Sequence, residues 1–227
     1  MKNIQSFISN ISAPKTVEQL QYHMRDYGGY VIERVLEDPY GPGNWTAPRW
    51  AKIGDIVFFM HAVSAGQYLK SIRRKITLQK DSYSQQDFDD AMRFLQHGLD
   101  LHSLYGEKIF AVSRVIGAPE YYDDEESYYW HSHIYAEIGD MTLLYSPLDY
   151  SEFRDFLPVA RQTSITPVIG KNFDMLRDLL ISHGNILPDY VLEAEASPLP
   201  LSAVKMAWPT HSLTTLYFLT ADIFPQK

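Results

Sequence analysis

The stretch Gly54-Asp55-Ile56-Val57-Phe58-Phe59-Met60-His61 decides the fold class. Five consecutive apolar residues, several of them β-branched or aromatic, follow a Gly-Asp turn and stop at a histidine. The run is short for a globular helix and has no polar alternation, so it predicts a strand buried on both faces. Such a strand needs neighbours at its edges and covering elements on both sides. Residues 108–116 supply one neighbour, ending at Gly117, and residues 133–138 another, with apolar and polar side chains alternating. Residues 30–36 read as a further strand by their β-branched and aromatic content.

Helix signals lie between these strands. Residues 1 to 28 carry one: Thr16 is a cap with Gln19 three residues on, and Val17, Leu20 and Met24 share a face. After Ser84, the residues Phe88, Ala91, Met92 and Leu95 recur at helical spacing behind Asp87, Asp89 and Asp90, predicting a helix of about three turns. Ser146-Pro147 opens a short helix bearing Phe153, Phe156 and Leu157, which ends at Pro158. A last helix starts near Asn172, aligns Phe173, Leu176, Leu179 and Leu180, and stops at His183-Gly184-Asn185. Pro188, Pro198, Pro200 and Pro209 predict an extended tail, with residues 213–219 as a final strand. The pattern lacks regular βαβ alternation and predicts an α+β fold, a curved sheet or small β-barrel surrounded by several helices.

Composition bounds the function classes. The chain has 227 residues, 45% hydrophobic and 21% charged, which is globular rather than disordered. With no cysteine there is no disulfide, no Cys-type zinc site and no thiol nucleophile. A net charge of −8 speaks against sequence-independent coating of nucleic acid, which needs many cations to release phosphate counterions. The charge is nevertheless polarised: residues 70–80 hold five basic side chains and no acid, and residues 120–126 hold five acids. No apolar run reaches the roughly 20 residues of a membrane span, and Met1 to Gln5 lacks a signal-peptide core, so a cytoplasmic protein without membrane contact is expected.

Catalytic signatures are missing from the chain: there is no G-x-S-x-G elbow, no Walker A motif, no H-E-x-x-H and no G-x-G-x-x-G. His131 and His133, two apart on a strand and beside Asp123-Asp124-Glu125-Glu126, could meet a metal, but their spacing matches no known ligand pattern and a solvated acidic loop is the simpler reading. No metal and no cofactor are expected. Aromatic residues are abundant, 16 Tyr, 11 Phe and 4 Trp, and suit either a core or a surface that stacks flat ligands. Two clusters suit stacking: Asn44-Trp45-Thr46-Ala47-Pro48-Arg49-Trp50, and Tyr121-Tyr122 with Tyr128-Tyr129-Trp130.

The string Trp50-Ala51-Lys52-Ile53-Gly54-Asp55-Ile56-Val57-Phe58-Phe59-Met60-His61 resembles a strand of EVE domains, in the PUA-like superfamily related to YTH and ASCH domains. There a Lys-x-Gly-Asp turn precedes an aromatic strand that ends near His. Residues 109–119, 130–137, 147–153 and 160–168 resemble later segments of the same pattern in the same order, so the resemblance covers residues 28–185. Residues 1–27 then form a helical extension and residues 186–227 a C-terminal one. The opening strand, placed at residues 30–36, lacks the Trp and Lys-Ser stretch usual in the family.

The resemblance implies a PUA-like barrel whose aromatic cage accepts one modified base of DNA or RNA, in a restriction, defence or RNA-related setting. It places Asn44 and Trp45 at one cage wall and Trp130 opposite, with Trp50 and His61 bordering the cage. Lys70, Arg73, Arg74 and Lys75 would hold phosphates. The catalytic Gly-x-Lys-x-x-Glu-x-Arg pattern of some ASCH members is absent, which favours a non-enzymatic reader, with a nuclease or other effector subunit as partner. The alternatives are a metal-dependent hydrolase built on His131 and His133, and an interaction subunit docking through the Pro-rich tail from Pro188.

Overall fold

The computed structural model describes residues 3–38, 40–122, 133–159 and 163–196. Trp130, His131, the acids of residues 123–126 and the tail beyond residue 196 lie outside the described residues. The chain is α+β: a strongly curled, mixed half-barrel sheet with helices on both faces. The strands are β1 (Asn3–Ile4), β2 (Ser6–Ile11), β3 (Gly43–Thr46), β4 (Ile56–His61), β5 (Lys108–Val115), β6 (Glu120–Tyr122), β7 (His133–Asp149), β8 (Ile165–Val168) and β9 (Glu195–Ala196). The helices are α1 (Val17–Tyr22), continued by a π-helical turn (His23–Tyr27), α2 (Val31–Glu37), α3 (Ala65–Leu78), α4 (Gln85–Tyr105), α5 (Tyr150–Phe153), α6 (Lys171–Ser182) and α7 (Asp189–Leu192). None of the described helices is long and apolar enough to cross a membrane.

The main sheet runs β3-β7-β5-β4-β2-β8, with β6 also on β7, and every pairing is antiparallel except β2 with β4. As the apolar run predicts, β4 is buried from end to end. Its alternate side chains feed two cores. Val57 and Phe59 join Leu69, Ile72 and Ile76 of α3 and Leu95 of α4, while Ile56, Phe58 and Met60 join Phe153 of α5 and Phe173, Leu176 and Leu180 of α6. Each fully buried Phe or Leu stabilises the fold by roughly 2 kcal/mol through lost apolar hydration.

The Gly-Asp turn fastens the start of this strand. Gly54 turns the chain at φ +99°, a conformation that penalises any residue with a Cβ. Asp55 is 3% exposed, and its two carboxylate oxygens accept the N–H groups of Gln5 (3.0 Å) and Lys52 (2.8 Å). The turn is thus stitched to the residue that precedes β2.

Several sequence expectations need correction. Residues 30–36 are not a strand, because Ile32 and Val35 bury one side of α2 while Glu33, Arg34 and Glu37 follow the helical period on the other. The opening residues are not helical throughout, since Ser6–Ile11 form β2 in the interior of the sheet. The basic segment 70–75 lies on α3, a helix of 14 residues. Helix α4 is twice the expected length, at 21 residues. It crosses Gly98 because a Cβ there would lie 2.4 Å from the Tyr30 ring. Pro147 continues β7, and α5 starts after Asp149, whose Oδ1 accepts the Ser151 N–H (2.9 Å) while Glu152 Oε1 accepts the Asp149 N–H (3.3 Å). The Thr16 cap is present: its hydroxyl accepts the Gln19 N–H (3.2 Å), and Gln19 Oε1 accepts the Lys15 N–H (2.7 Å).

Candidate nucleic-acid interface

The tryptophans expected as cage walls are core residues. Residues Gly43–Thr46 are β3, paired with β7 through Trp45 against Ala136, so the segment is no open loop. Trp45 is 8% exposed; its Nε1–H donates to Ser9 Oγ (2.6 Å), and its ring meets Phe59 edge-on at 5.2 Å. Trp50, equally buried, packs edge-on against Phe7 at 5.8 Å, and its Nε1 finds no partner among the described residues. Neither indole offers an open face, because burying it against the sheet removes more apolar surface than a loop position could. Asn44 alternates with Trp45 along β3 and is exposed, opposite Glu137. Trp130 lies outside the described residues.

Trp45 nevertheless supports a residue that lines a groove, Arg34. The Arg34 guanidinium stacks over its ring at 5.4 Å and donates to the Pro42 carbonyl. The groove beside it, about 850 Å³, is lined by Tyr27, Tyr30, Glu33, Arg34, Glu37 and Asp38, together with the backbone at Gly28, Gly29, Pro42 and Gly43. Five of these side chains come from α2 or its two caps, the segment whose periodicity was obscured by β-branched residues. Glu33 is held on both oxygens: Oε2 accepts the Tyr30 N–H (2.5 Å), and Oε1 meets His97 Nε2 (2.5 Å). Burial pushes the Tyr27 hydroxyl up from its ordinary value, with the Arg34 cation pulling the other way. Tyr30, stacked on Phe94 at 4.4 Å and donating to the Phe94 carbonyl (2.8 Å), is raised further by burial. His23 is held below its usual range by burial, its Nδ1 lying 2.8 Å from the Gly29 carbonyl.

Lys70, Arg73, Arg74 and Lys75 are all exposed on α3, a helix that carries no acid. Lys70, Arg73 and Arg74 follow i, i+3, i+4 spacing and lie on one stripe. His61, expected at a cage border, is instead 3% exposed at the carboxyl end of β4. Its ring meets His102 of α4 at 5.4 Å, and neither His61 Nδ1 nor His102 Nε2 has a partner among the described residues. Burial drives the His61 pKa down to about 3, helped by the His102 ring. His102 is lowered by burial too; Glu107 opposes that shift and Lys70 adds to it.

Helix α4 joins the two features. Gln96 Oε1 accepts from Arg73 Nη1 (3.2 Å) on one flank, and the next residue, His97, holds Glu33 on the other. The cationic stripe and the groove thus both contact the same turn of α4. His97, His102 and Arg34 were missed from sequence; the polar stripe Tyr30, Glu33, Arg34, Glu37, at i, i+3, i+4, i+7, was the available signal.

Among the described residues no group of three or more His, Asp or Glu could hold a metal ion. The chain matches no family model. No curated protein matches it either. Among solved structures it is similar to protein Atu2648 from Agrobacterium tumefaciens, with 12% identity and a TM-score of 0.38 over 86% of this chain and 99% of that one.

Proposed function

We propose that this chain is a non-enzymatic nucleic-acid-binding module of the EVE/PUA-like kind, which holds a short segment by its phosphates and reads one, modified, base. The observation that carries the reading is the one-signed exposed face of α3, where Lys70, Arg73, Arg74 and Lys75 project without a single acid on the same helix. Phosphate contacts position a strand, and a concave, partly aromatic site nearby supplies base recognition. The groove across α4 is that site in this reading, with Arg34 and Tyr27 of its lining, and the exposed Asn44 that follows Gly43 of that lining, replacing the buried indoles as base contacts. A net charge of −8 keeps non-specific affinity low, so binding depends on a few local cations and on stacking. A cytoplasmic setting, no resident cofactor, and a nuclease or other effector subunit as partner belong to the same reading.

The test is a fluorescence-anisotropy titration of the full chain with short single-stranded and duplex oligonucleotides of DNA and RNA, with and without methylated bases. Wild-type protein is expected to bind at least one methylated oligonucleotide more tightly than its unmodified counterpart. Absence of affinity for every oligonucleotide at low salt contradicts the reading.

A further inference from the structure

We infer that the outward face of the Arg34 guanidinium is the platform on which a single nucleobase stacks, with Glu37 accepting from the base's exocyclic amine. The inference rests on the nucleic-acid reading and adds the recognition element to it. Three observations carry it. The guanidinium is locked in place from below and from the side, by the Trp45 ring at 5.4 Å and by its bond to the Pro42 carbonyl, so one planar face is preorganised. The indole beneath is itself anchored by its bond to Ser9 Oγ (2.6 Å). Arg34 lines a groove of about 850 Å³, which has room for a nucleobase beside the guanidinium.

An arginine among three carboxylates would ordinarily pair with one of them, yet Arg34 forms no ion pair with Glu33, Glu37 or Asp38 among the described contacts. Glu33 is committed to His97 and the Tyr30 N–H, and Asp38 Oδ1 accepts the Tyr40 N–H (2.9 Å). Glu37 is exposed on the groove wall and has no partner among the described residues, which leaves its carboxylate free to accept from a ligand N–H. Carboxylate walls repel phosphate and accept hydrogen bonds from amino groups. The chemistry therefore selects a flat, uncharged ring bearing an exocyclic amine, the adenine, guanine or cytosine class, and sends its phosphates across α4 to the cationic stripe. Guanidinium planes stack nucleobases as aromatic rings do.

The experiment uses the full chain and a single-stranded DNA octamer with one central 2-aminopurine, whose emission reports stacking. Binding to wild-type protein is expected to change that emission. Arg34→Met keeps the stem over Trp45 and is expected to abolish the emission change and weaken binding about tenfold, the usual consequence of losing one stacked base. Glu37→Gln, at an exposed side chain, is expected to weaken binding severalfold with the thermal midpoint unchanged, which keeps the test valid if Arg34→Met fails to fold. Folded variants that retain wild-type affinity and emission overturn the inference. If they do so while replacing Lys70, Arg73, Arg74 and Lys75 by Gln still abolishes binding, the nucleic-acid reading survives and only the platform is lost. If the octamer does not bind wild-type protein, the platform is overturned, and if no DNA or RNA oligonucleotide of the methylated and unmethylated panel binds at low salt, the nucleic-acid reading falls with it.

Discussion

The two ends of β4 bury polar groups on opposite terms. At the amino end Asp55 is 3% exposed, and both carboxylate oxygens accept a backbone N–H. At the carboxyl end His61 is also 3% exposed, but its Nδ1 has no partner among the described residues and its ring meets another imidazole, His102, at 5.4 Å. A satisfied buried group holds the fold together, whereas an unsatisfied one costs desolvation with no hydrogen bond in return. The difference teaches where the Gly-Asp motif acts: Asp55 is a fastener of the sheet. The groups free to respond to the environment lie at the other end, beside Lys70.

The largest effect expected from this contrast comes from Asp55→Ala. It leaves the part-buried N–H groups of Gln5 and Lys52 without their acceptor and should cost about 3 kcal/mol, measured by urea unfolding. A loss below about 0.5 kcal/mol would show that the turn is not held by this carboxylate.

The histidine end should show itself in pH dependence. His61 is lowered to about 3 in the folded chain from the ordinary value near 6.5. The unfolded chain therefore binds the extra proton between those limits, so this contribution is complete above pH 6.5 and declines as pH falls toward 3. From pH 6.5 to 5 the loss should reach about 2 kcal/mol for one excluded proton. His61→Leu should flatten that slope, and an unchanged slope would assign it to other groups. His102 contributes in the same direction, because burial lowers it as well.

A smaller effect is expected from Ser9→Ala. The mutation removes the acceptor for Trp45 Nε1–H without disturbing apolar packing. It should cost about 1 kcal/mol in thermal unfolding and make Trp45 as poorly satisfied as Trp50. A neutral outcome would mean that the indole of Trp45, like that of Trp50, is held by packing alone.

Much of the sheet was legible in sequence because burial on both faces leaves a continuous apolar run, as in β4, and because α4 and α6 keep clean periodic stripes. What was not legible depends on partners far along the chain. β2 reads poorly because Ser6, Ser9 and Asn10 interrupt its apolar character. Those side chains become compatible with burial only through long-range bonds, such as Ser6 Oγ to the Val168 carbonyl (2.9 Å) and Trp45 Nε1 to Ser9. β3 was hidden for the same reason, since its pairing with residues 135–138 of β7 is not written in residues 43–46. In α2, β-branched residues at 31, 32 and 35 outweighed a helical period that the polar side chains already displayed. The cationic stripe was legible because charge clustering survives any secondary structure, but the groove was not, because its Arg34–Trp45 stack joins a helix to a strand.

The most direct measurement is the salt dependence of oligonucleotide affinity for the wild-type chain and for the variant with Lys70, Arg73, Arg74 and Lys75 replaced by Gln. Single-strand binding loses about 0.7 of logarithmic slope for each phosphate contact removed. The account predicts that the slope of log K against log salt becomes shallower by about 3 in the variant. A variant that binds with the wild-type slope would contradict it, because the phosphates would then be held elsewhere on the molecule.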